Sequence, residues 1–271
     1  MKQRTIAILF IFIAASLLII YGKDFMFITK HDRLDETFTN ASFSKVAIDA
    51  VNASIDVQST KSSSAKVEVS GLKNKRPNVQ LDADVNGDTL SVKIKDTRKV
   101  LRLPFGKRYE AVVVKVFLPE KQYDEMIVKI NNGKIAVNDL KAESINARTD
   151  NGQIRLSETV AKSVEAKSAN GKIVFNYVTG NIKANTATGK IAIITENLNS
   201  AIDVQTDVGK IDIQVDQMPD NATVNILTSV GKVNLFGSED RKAVYGSGEH
   251  LIQLKTEVGK VNVDLTGNTY E

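Results

Sequence analysis

The sequence predicts an all-β protein, a single-domain parallel β-solenoid (β-helix) that is preceded by one transmembrane helix. Three features favour this fold: seven glycine-centred repeats, apolar and polar residues that alternate on both sides of each glycine, and an apolar run at the N-terminus. Alternation with a period of two is typical of strands that bury one face. With 271 residues, 42% of them hydrophobic, the chain is long enough to enclose one large core.

The repeats are centred on glycines that lie 19, 19, 18, 20, 22 and 28 residues apart, which predicts coils of about 18–22 residues. Apolar residues recur seven and five positions before the glycine, and two and four positions after it. A Ser or Thr stands three positions before the glycine in six of the seven repeats. Glycine permits the positive φ that a tight bend between two short strands requires. The repeat glycines are Gly133, Gly152, Gly171, Gly189, Gly209, Gly231 and Gly259.

Two architectures are compatible with these repeats. In the first, each unit is a β-hairpin of a sandwich, and the pair Asn132-Gly133 suits a type I′ turn. In the second, each unit is one coil of a parallel solenoid, so that equivalent residues stack in columns and the hydroxyl residues hydrogen-bond along the stack. Val208, Val230 and Val258 precede the glycine in later repeats, and a β-branched residue is unusual at the positive φ of that turn. The solenoid is therefore favoured, and the hairpin sandwich remains the alternative.

The N-terminal segment, residues 1–28, is expected to anchor the protein in a membrane. Lys2 and Arg4 precede an apolar run from Ile6 to Ile20, whose length lies between a signal-peptide core and a full membrane span. No small-residue cleavage site is evident after the run, so an uncleaved signal-anchor is favoured over a removed signal peptide. The two basic residues place the N-terminus in the cytoplasm. We therefore expect a single-pass protein of the cell membrane whose C-terminal domain is extracytoplasmic.

The rest of the chain divides into four predicted segments. Residues 29–42 are polar and are expected to form a tether, residues 43–125 an irregular, atypical N-terminal β cap, residues 126–265 the repetitive solenoid, and residues 266–271 a C-terminal tail. Within the cap region, Asn52 to Val57 resembles a repeat that lacks its glycine.

Lysine follows the glycine in six of the seven repeats, with Gln153 as the exception. In a solenoid these lysines would form a column along one edge. The column is a candidate track for a polyanion such as teichoic acid or for anionic lipid head groups. The favoured interpretation is a solvated column that prevents edge-to-edge aggregation, partly neutralised by Asp150, Asp207 and Glu257 two positions before the glycine.

A second group of basic residues surrounds the motif Pro104-Phe105-Gly106 and alternates with apolar residues. Such a loop could lie on an anionic membrane or bind a polyanion, with its apolar side chains inserted among the lipids. The alternative is an exposed insertion between two strands. The candidate contact residues are Lys93, Lys95, Arg98, Lys99, Arg102, Phe105, Lys107 and Arg108.

Composition argues against most catalytic and cofactor chemistry. The chain has no cysteine and only two histidines, so thiol catalysis, disulfides and Cys-based zinc sites are excluded. No phosphate-binding loop or calcium-binding nonapeptide is present. A net charge of +4 is too small to indicate nucleic-acid binding by itself. We therefore predict no catalytic residue, cofactor, metal or small-molecule substrate; hydrolysis of wall polysaccharide by a pair of carboxylates is a less favoured alternative.

The T-x-x-G-K-I-x-V units, the segment Asn52 to Val57 and the N-terminal anchor together resemble the bacterial "putative adhesin" family, a domain family of unknown function. The resemblance covers roughly residues 43–265. It implies an envelope location, a β-solenoid fold and a part in the response to antibiotic or cell-envelope stress. It transfers no catalytic residue. The resulting hypothesis is a non-catalytic interaction or scaffold protein whose partner is another envelope protein or an envelope polymer.

Overall fold

The computed structural model describes residues 34–39, 42–70, 79–96 and 112–267, which form eighteen strands and no helix and all belong to one compact unit. The all-β fold is therefore confirmed for this part of the chain. The strands are β1 (Leu34–Phe38), β2 (Lys45–Thr60), β3 (Ala65–Ser70), β4 (Val79–Asn86), β5 (Thr89–Asp96), β6 (Val112–Pro119), β7 (Gln122–Asn138), β8 (Lys141–Ser157), β9 (Val160–Asn176), β10 (Thr179–Thr188), β11 (Ile191–Thr195), β12 (Ile202–Val208), β13 (Ile211–Val215), β14 (Ala222–Val230), β15 (Val233–Leu235), β16 (Lys242–Tyr245), β17 (His250–Val258) and β18 (Val261–Leu265).

Each repeat forms one rung, with a first limb before the glycine and a second limb after it. The two limbs are continuous in β7, β8 and β9, and form separate strands in the later rungs. Neighbouring rungs pair in parallel, with Gly133 opposite Gly152 and Gly152 opposite Gly171. This pairing confirms the solenoid-like repeat and excludes a sandwich of separate hairpins.

The predicted degenerate repeat is a full rung. Strand β2 pairs in parallel with β7 from Lys45 to Gln58, and Ala53 occupies the position of the glycine, opposite Gly133. The stack is therefore continuous across residue 125, where the sequence predicted a change from cap to solenoid.

The order of the rungs differs from the order of the chain at both ends of the stack. Strands β5 and β6 together form one rung, and strand β2 lies between this rung and β7. At the opposite end, β17 with β18 lies between β12 with β13 and β14 with β15. At the C-terminal end the chain therefore forms the outermost rung before the rung that lies inside it, whereas at the N-terminal end it forms the inner rung, β2, before the outermost one. In the described residues the stacking order is β5 with β6, β2, β7, β8, β9, β10 with β11, β12 with β13, β17 with β18, and β14 with β15.

Antiparallel strands cover much of the outermost rungs. Strand β3 pairs with β6, β1 with β3, and β4 with β5 at one end, while β16 pairs with β14 at the other. They occupy strand edges that would otherwise present unpaired backbone groups.

The predicted tether, residues 29–42, is wrong for residues 34–38, because these residues form strand β1. Leu34 and Phe38 pack against the core, and the three residues between them are exposed. A five-residue edge strand with a mostly polar sequence resembles a linker, because only its two ends are buried. The predicted transmembrane segment 1–28 lies outside the described residues. The part of the chain that the structure describes contains no helix that could span a membrane.

The inward-pointing side chains of all rungs form one continuous core cluster. All four apolar columns predicted around the glycine are buried, for example Ile145 and Ala147 before Gly152 and Ile154 and Leu156 after it. Burying one such Ile or Leu stabilises the fold by about 1.5–3 kcal/mol relative to exposing it. The apolar positions that repeat in the sequence are therefore the positions that make the core contacts in every rung.

A second bend follows the second limb, six residues after the glycine. Asp139, Glu158 and Tyr177 stand there with φ of 51°, 51° and 52°. The next residue in each rung turns inward again and is buried; these residues are Leu140, Thr159 and Val178.

Candidate interaction surface

The bend at the repeat glycines forms one long edge of the stack, which we call the glycine edge. Here the backbones of neighbouring rungs approach so closely that a side chain is excluded. A Cβ atom on Gly152 would lie 1.8 Å from the carbonyl oxygen of Gly133, and φ of Gly152 is +153°. This approach explains why glycine recurs at the bend.

Hydroxyl residues on the inner side of the glycine edge connect the rungs. Thr206 and Thr256 are buried, and their Oγ1 atoms donate hydrogen bonds to the carbonyl oxygens of Gly189 and Gly209 in neighbouring rungs, over 3.3 and 3.1 Å. The predicted hydrogen bonding along the stack is therefore confirmed for these residues. Ser168 differs, since its buried Oγ has no hydrogen-bond partner in the described part of the chain.

The residue immediately before the glycine points outward, and in the first four full rungs it is asparagine. In the last three of these rungs, the side-chain amide donates to Oδ1 of the asparagine in the preceding rung of the stack. The distances are 2.8 Å from Asn132 to Asn52, 3.0 Å from Asn151 to Asn132, and 3.1 Å from Asn170 to Asn151. The side chains of this asparagine ladder therefore satisfy one another.

In the last three rungs the same column holds valines, which we call the valine stripe. Their side chains stand in the stacking order Val208, Val258, Val230, because β17 lies between β12 and β14. They are 50%, 48% and 63% exposed, respectively. The glycine edge thus changes from a satisfied polar ladder to an exposed apolar strip.

The residue after the glycine forms the predicted lysine column. Lys190 and Lys210 share one carboxylate, since their Nζ atoms lie 2.6 and 3.2 Å from Oδ2 of Asp212. Burial alone would raise the pKa of Asp212, but hydrogen bonds and charge from the two lysines outweigh burial and lower the pKa below its ordinary value. No carboxylate in the described residues lies within ion-pair distance of the other four lysines. In stacking order the column is Lys134, Gln153, Lys172, Lys190, Lys210, Lys260 and Lys232.

The neutralising acid differs from those predicted. Asp150, Asp207 and Glu257 form no ion pair with the lysine column among the described residues. Asp212, three positions after its glycine, takes that role for two lysines. Sequence reasoning missed it because other repeats hold Ala, Arg, Val or Asn at the equivalent position. The sequence feature that could have indicated this ion pair is the stretch Gly209-Lys210-Ile211-Asp212. There the acid follows the lysine by two residues, on the same face of a strand.

The predicted basic loop is only partly described. Lys93 and Lys95 are exposed on β5, and Nζ of Lys95 lies 3.7 Å from Oδ2 of Asp82 on β4. Arg98, Lys99, Arg102, Phe105, Lys107 and Arg108 lie outside the described residues. Membrane or polyanion contact through this loop therefore stays a prediction.

Residues 43–176 match the model of the family described as Toastrack DUF4097. The chain contains a Toastrack domain. The predicted membership of this family of unknown function is thereby confirmed. The matched residues run from just before β2 to the end of β9, and therefore contain the whole asparagine ladder. The valine stripe lies in rungs beyond the matched part of the Toastrack domain, in the same register.

Three solved structures resemble the Toastrack protein. A putative adhesin from Bacteroides fragilis is 14% identical, with a TM-score of 0.45 over 87% of this chain and 98% of the other. A putative cell adhesion protein from Clostridium sporogenes is 14% identical, with a TM-score of 0.38 over 86% and 99%. A putative lipid binding protein from Parabacteroides distasonis is 15% identical, with a TM-score of 0.38 over 87% and 95%. None of the curated proteins compared with this chain matches it.

In the described part of the Toastrack protein, Lys121 lies beside a cavity of about 430 Å³. Lys121 donates a hydrogen bond to the carbonyl oxygen of Phe43, and its Nζ lies 4.8 and 5.1 Å from the ring centres of Phe43 and Tyr123. Burial lowers the pKa of Lys121. These contacts are those of a lysine that packs over aromatic rings. Neither the matched family nor the similar structures carry the name of an enzyme.

Proposed function

We propose that the Toastrack protein is a non-catalytic interaction module that is held outside the bacterial membrane by its N-terminal segment and binds an anionic envelope polymer along its lysine column. The observation that carries this proposal is the stacking of six lysines in register along the glycine edge, four of which have no ion-pair partner among the described residues. Teichoic acid, a chain of repeating phosphodiesters, has the required chemistry.

The spacing of the lysines supports a linear, repeating ligand. Neighbouring rungs lie about 4.8 Å apart, so the column offers a cation in every rung from Lys134 to Lys232 except that of Gln153, along one line. Stacked like charges repel one another, and Asp212 compensates only Lys190 and Lys210. A polyanion that follows the edge relieves this repulsion at several rungs at once.

The proposal is tested with three exposed lysines of the column that have no ion-pair partner in the described structure. The variant Lys134→Gln/Lys172→Gln/Lys232→Gln in the full-length protein is expected to bind teichoic acid about 100-fold more weakly, because each lysine near an anionic surface contributes about 1 kcal/mol. Binding of the unmodified protein should also weaken as salt rises. Both are measured by titration with the purified polymer.

The matched control is Lys61→Gln/Lys141→Gln/Lys242→Gln, which removes the same charge from exposed positions outside the column. It should bind within a few-fold of the unmodified protein. Equal losses in the two variants would show that net charge alone drives binding. No loss in the column variant would remove the lysine column from the proposal.

The basic loop is a second candidate for the contact, and Lys93 on the exposed face of β5 supports it. Replacing Arg98, Lys99, Arg102, Lys107 and Arg108 with Gln should abolish salt-sensitive sedimentation with anionic liposomes if the loop binds lipid. Unchanged sedimentation would eliminate the loop.

The proposed location is supported by Lys2, Arg4 and the apolar run that follows them, whereas the proposed role in envelope stress rests on the family resemblance. Protease added to intact cells without a wall should digest the Toastrack domain if it lies outside. Crosslinking in the native membrane with and without an envelope-active antibiotic should change the set of attached partners. A domain that is protected from protease would contradict the proposed location.

A further inference from the structure

Neither the bend nor the core of the chain requires valines in the valine stripe. The same backbone position holds asparagine in four other rungs, so the bend does not require valine. Inward-pointing apolar side chains complete the core without the stripe. Val208, Val258 and Val230 nevertheless leave between 48% and 63% of their surface in water, in adjacent rungs. A contiguous exposed apolar strip on a polar edge is typical of a contact with another molecule.

Opposite charges flank the stripe. On one side lie lysines of the column, including Lys210 and Lys260. On the other side lie Asp207 and Glu257, two positions before the glycine, both exposed and without an ion-pair partner among the described residues. Across the edge, the order in these two rungs is therefore acid, valine, glycine, lysine.

This order is complementary to itself. A second copy can face the first with its stacking axis in the same direction. The two copies are then related by a two-fold axis parallel to the stack, which places the acid side of one edge opposite the lysine side of the other. Valine then meets valine, and Lys260 meets Glu257 of the partner. Lys210, which also pairs with Asp212 of its own chain, meets Asp207 of the partner, whereas the Val230 rung holds Ser229 in place of the acid. When the second copy runs in the opposite direction, lysine meets lysine and acid meets acid, which is unfavourable.

We propose that the valine stripe is the contact of a parallel two-fold homodimer, in which Val258 meets Val258 of the partner copy and Glu257 meets Lys260 of the partner copy. Three valines and their charged flanks are far fewer than the roughly 20–30 residues per side of a standard stable interface, so the association is weak. The dimer does not depend on binding of an anionic polymer, because the crosslinking test below changes only valines and is read without any added polymer.

A single cysteine tests the contact directly, because the chain has no cysteine of its own. In cells that express the full-length Val258→Cys protein, mild oxidation should give a disulfide-linked dimer. Val160→Cys is the matched control, since Val160 is a strand valine that is 47% exposed at a different bend. Equal crosslinking of the two variants, whether strong or absent, would overturn the proposal.

Co-expression of Val208→Cys and Val230→Cys chains tests the direction of the partner. In the parallel dimer these positions are two rungs apart, about 10 Å, which exceeds the reach of a disulfide. Each variant should therefore crosslink with itself and not with the other. A disulfide between the two different chains would overturn the parallel arrangement.

Charge reversal tests the pairing of the flanks. Glu257→Lys should weaken dimerisation about tenfold, and Glu257→Lys/Lys260→Glu should restore it, because the reversed charges again meet their opposites. A fluorescence energy-transfer measurement between tagged full-length chains reports both. Failure of the double variant to recover, with the fold intact by circular dichroism, would contradict the pairing.

Discussion

Glycine and the hydroxyl residue three positions before it set the distance between neighbouring rungs at the glycine edge. The glycine permits backbone atoms to approach where a Cβ would lie within 2 Å of a carbonyl oxygen. The hydroxyl then supplies a hydrogen bond to a glycine carbonyl of the neighbouring rung, as Thr206 does to Gly189. The close contact between rungs thus explains why a glycine, with a Ser or Thr three positions before it, recurs in the sequence.

The contribution of the hydroxyl column is testable with two contrasting residues. Thr206→Val keeps the shape but removes a buried hydrogen bond, so the free energy of unfolding should fall by about 1 kcal/mol. Ser168→Ala removes a buried hydroxyl that has no partner in the described structure, so stability should stay equal or rise slightly. Urea denaturation measures both, and equal losses would contradict the role assigned to the hydrogen bond.

At the scale of strands and rungs, the sequence predicted the repeats, the buried columns and the parallel register, because each follows from a local spacing of residues. The order of the last two rungs could not be predicted. A spacing of 28 residues between Gly231 and Gly259 indicates an insertion, but not that β17 returns to the inner side of β14 while β16 pairs on its outer side. Strand β1 was missed because its burial depends on a partner, β3, that is distant in sequence.

The ion-pair cluster on the second limbs could not be predicted either, because Asp212 accepts from lysines of two rungs. Asp212→Asn should lower the stability by about 1 kcal/mol at neutral pH. Because the folded protein lowers the pKa of this carboxyl, its stabilisation is present above the ordinary value of 3.8 and is lost as the pH falls through the lower folded value.

Thermal unfolding of the two proteins between pH 7 and pH 2 measures this difference. The gap in melting temperature should close below about pH 3.8. Asp203→Asn is the control: its carboxylate lies 3.8 Å from Lys183, both side chains are more than half exposed, and the change should be close to neutral. A gap that stays constant over this range would contradict the ion-pair role of Asp212.

For the whole molecule, both proposals depend on the glycine edge being a regular line of one position per rung. This regular spacing would let the lysine column match a repeating polymer. It would also let the valine stripe match the same stripe of a second copy. In the described structure Lys260 lies five rungs from Lys134, and Lys232 lies six rungs away, although Lys232 comes first in the chain.

Pulsed electron spin resonance between cysteine-attached spin labels tests this arrangement most directly, because the chain has no native cysteine. One full-length protein carries labels at 134 and 260, and another at 134 and 232, each diluted with unlabelled chain so that only distances within one copy are measured. The account predicts about 24 Å for the first pair and about 29 Å for the second. A longer distance for 134–260 than for 134–232, or no fixed distance for either pair, would contradict it.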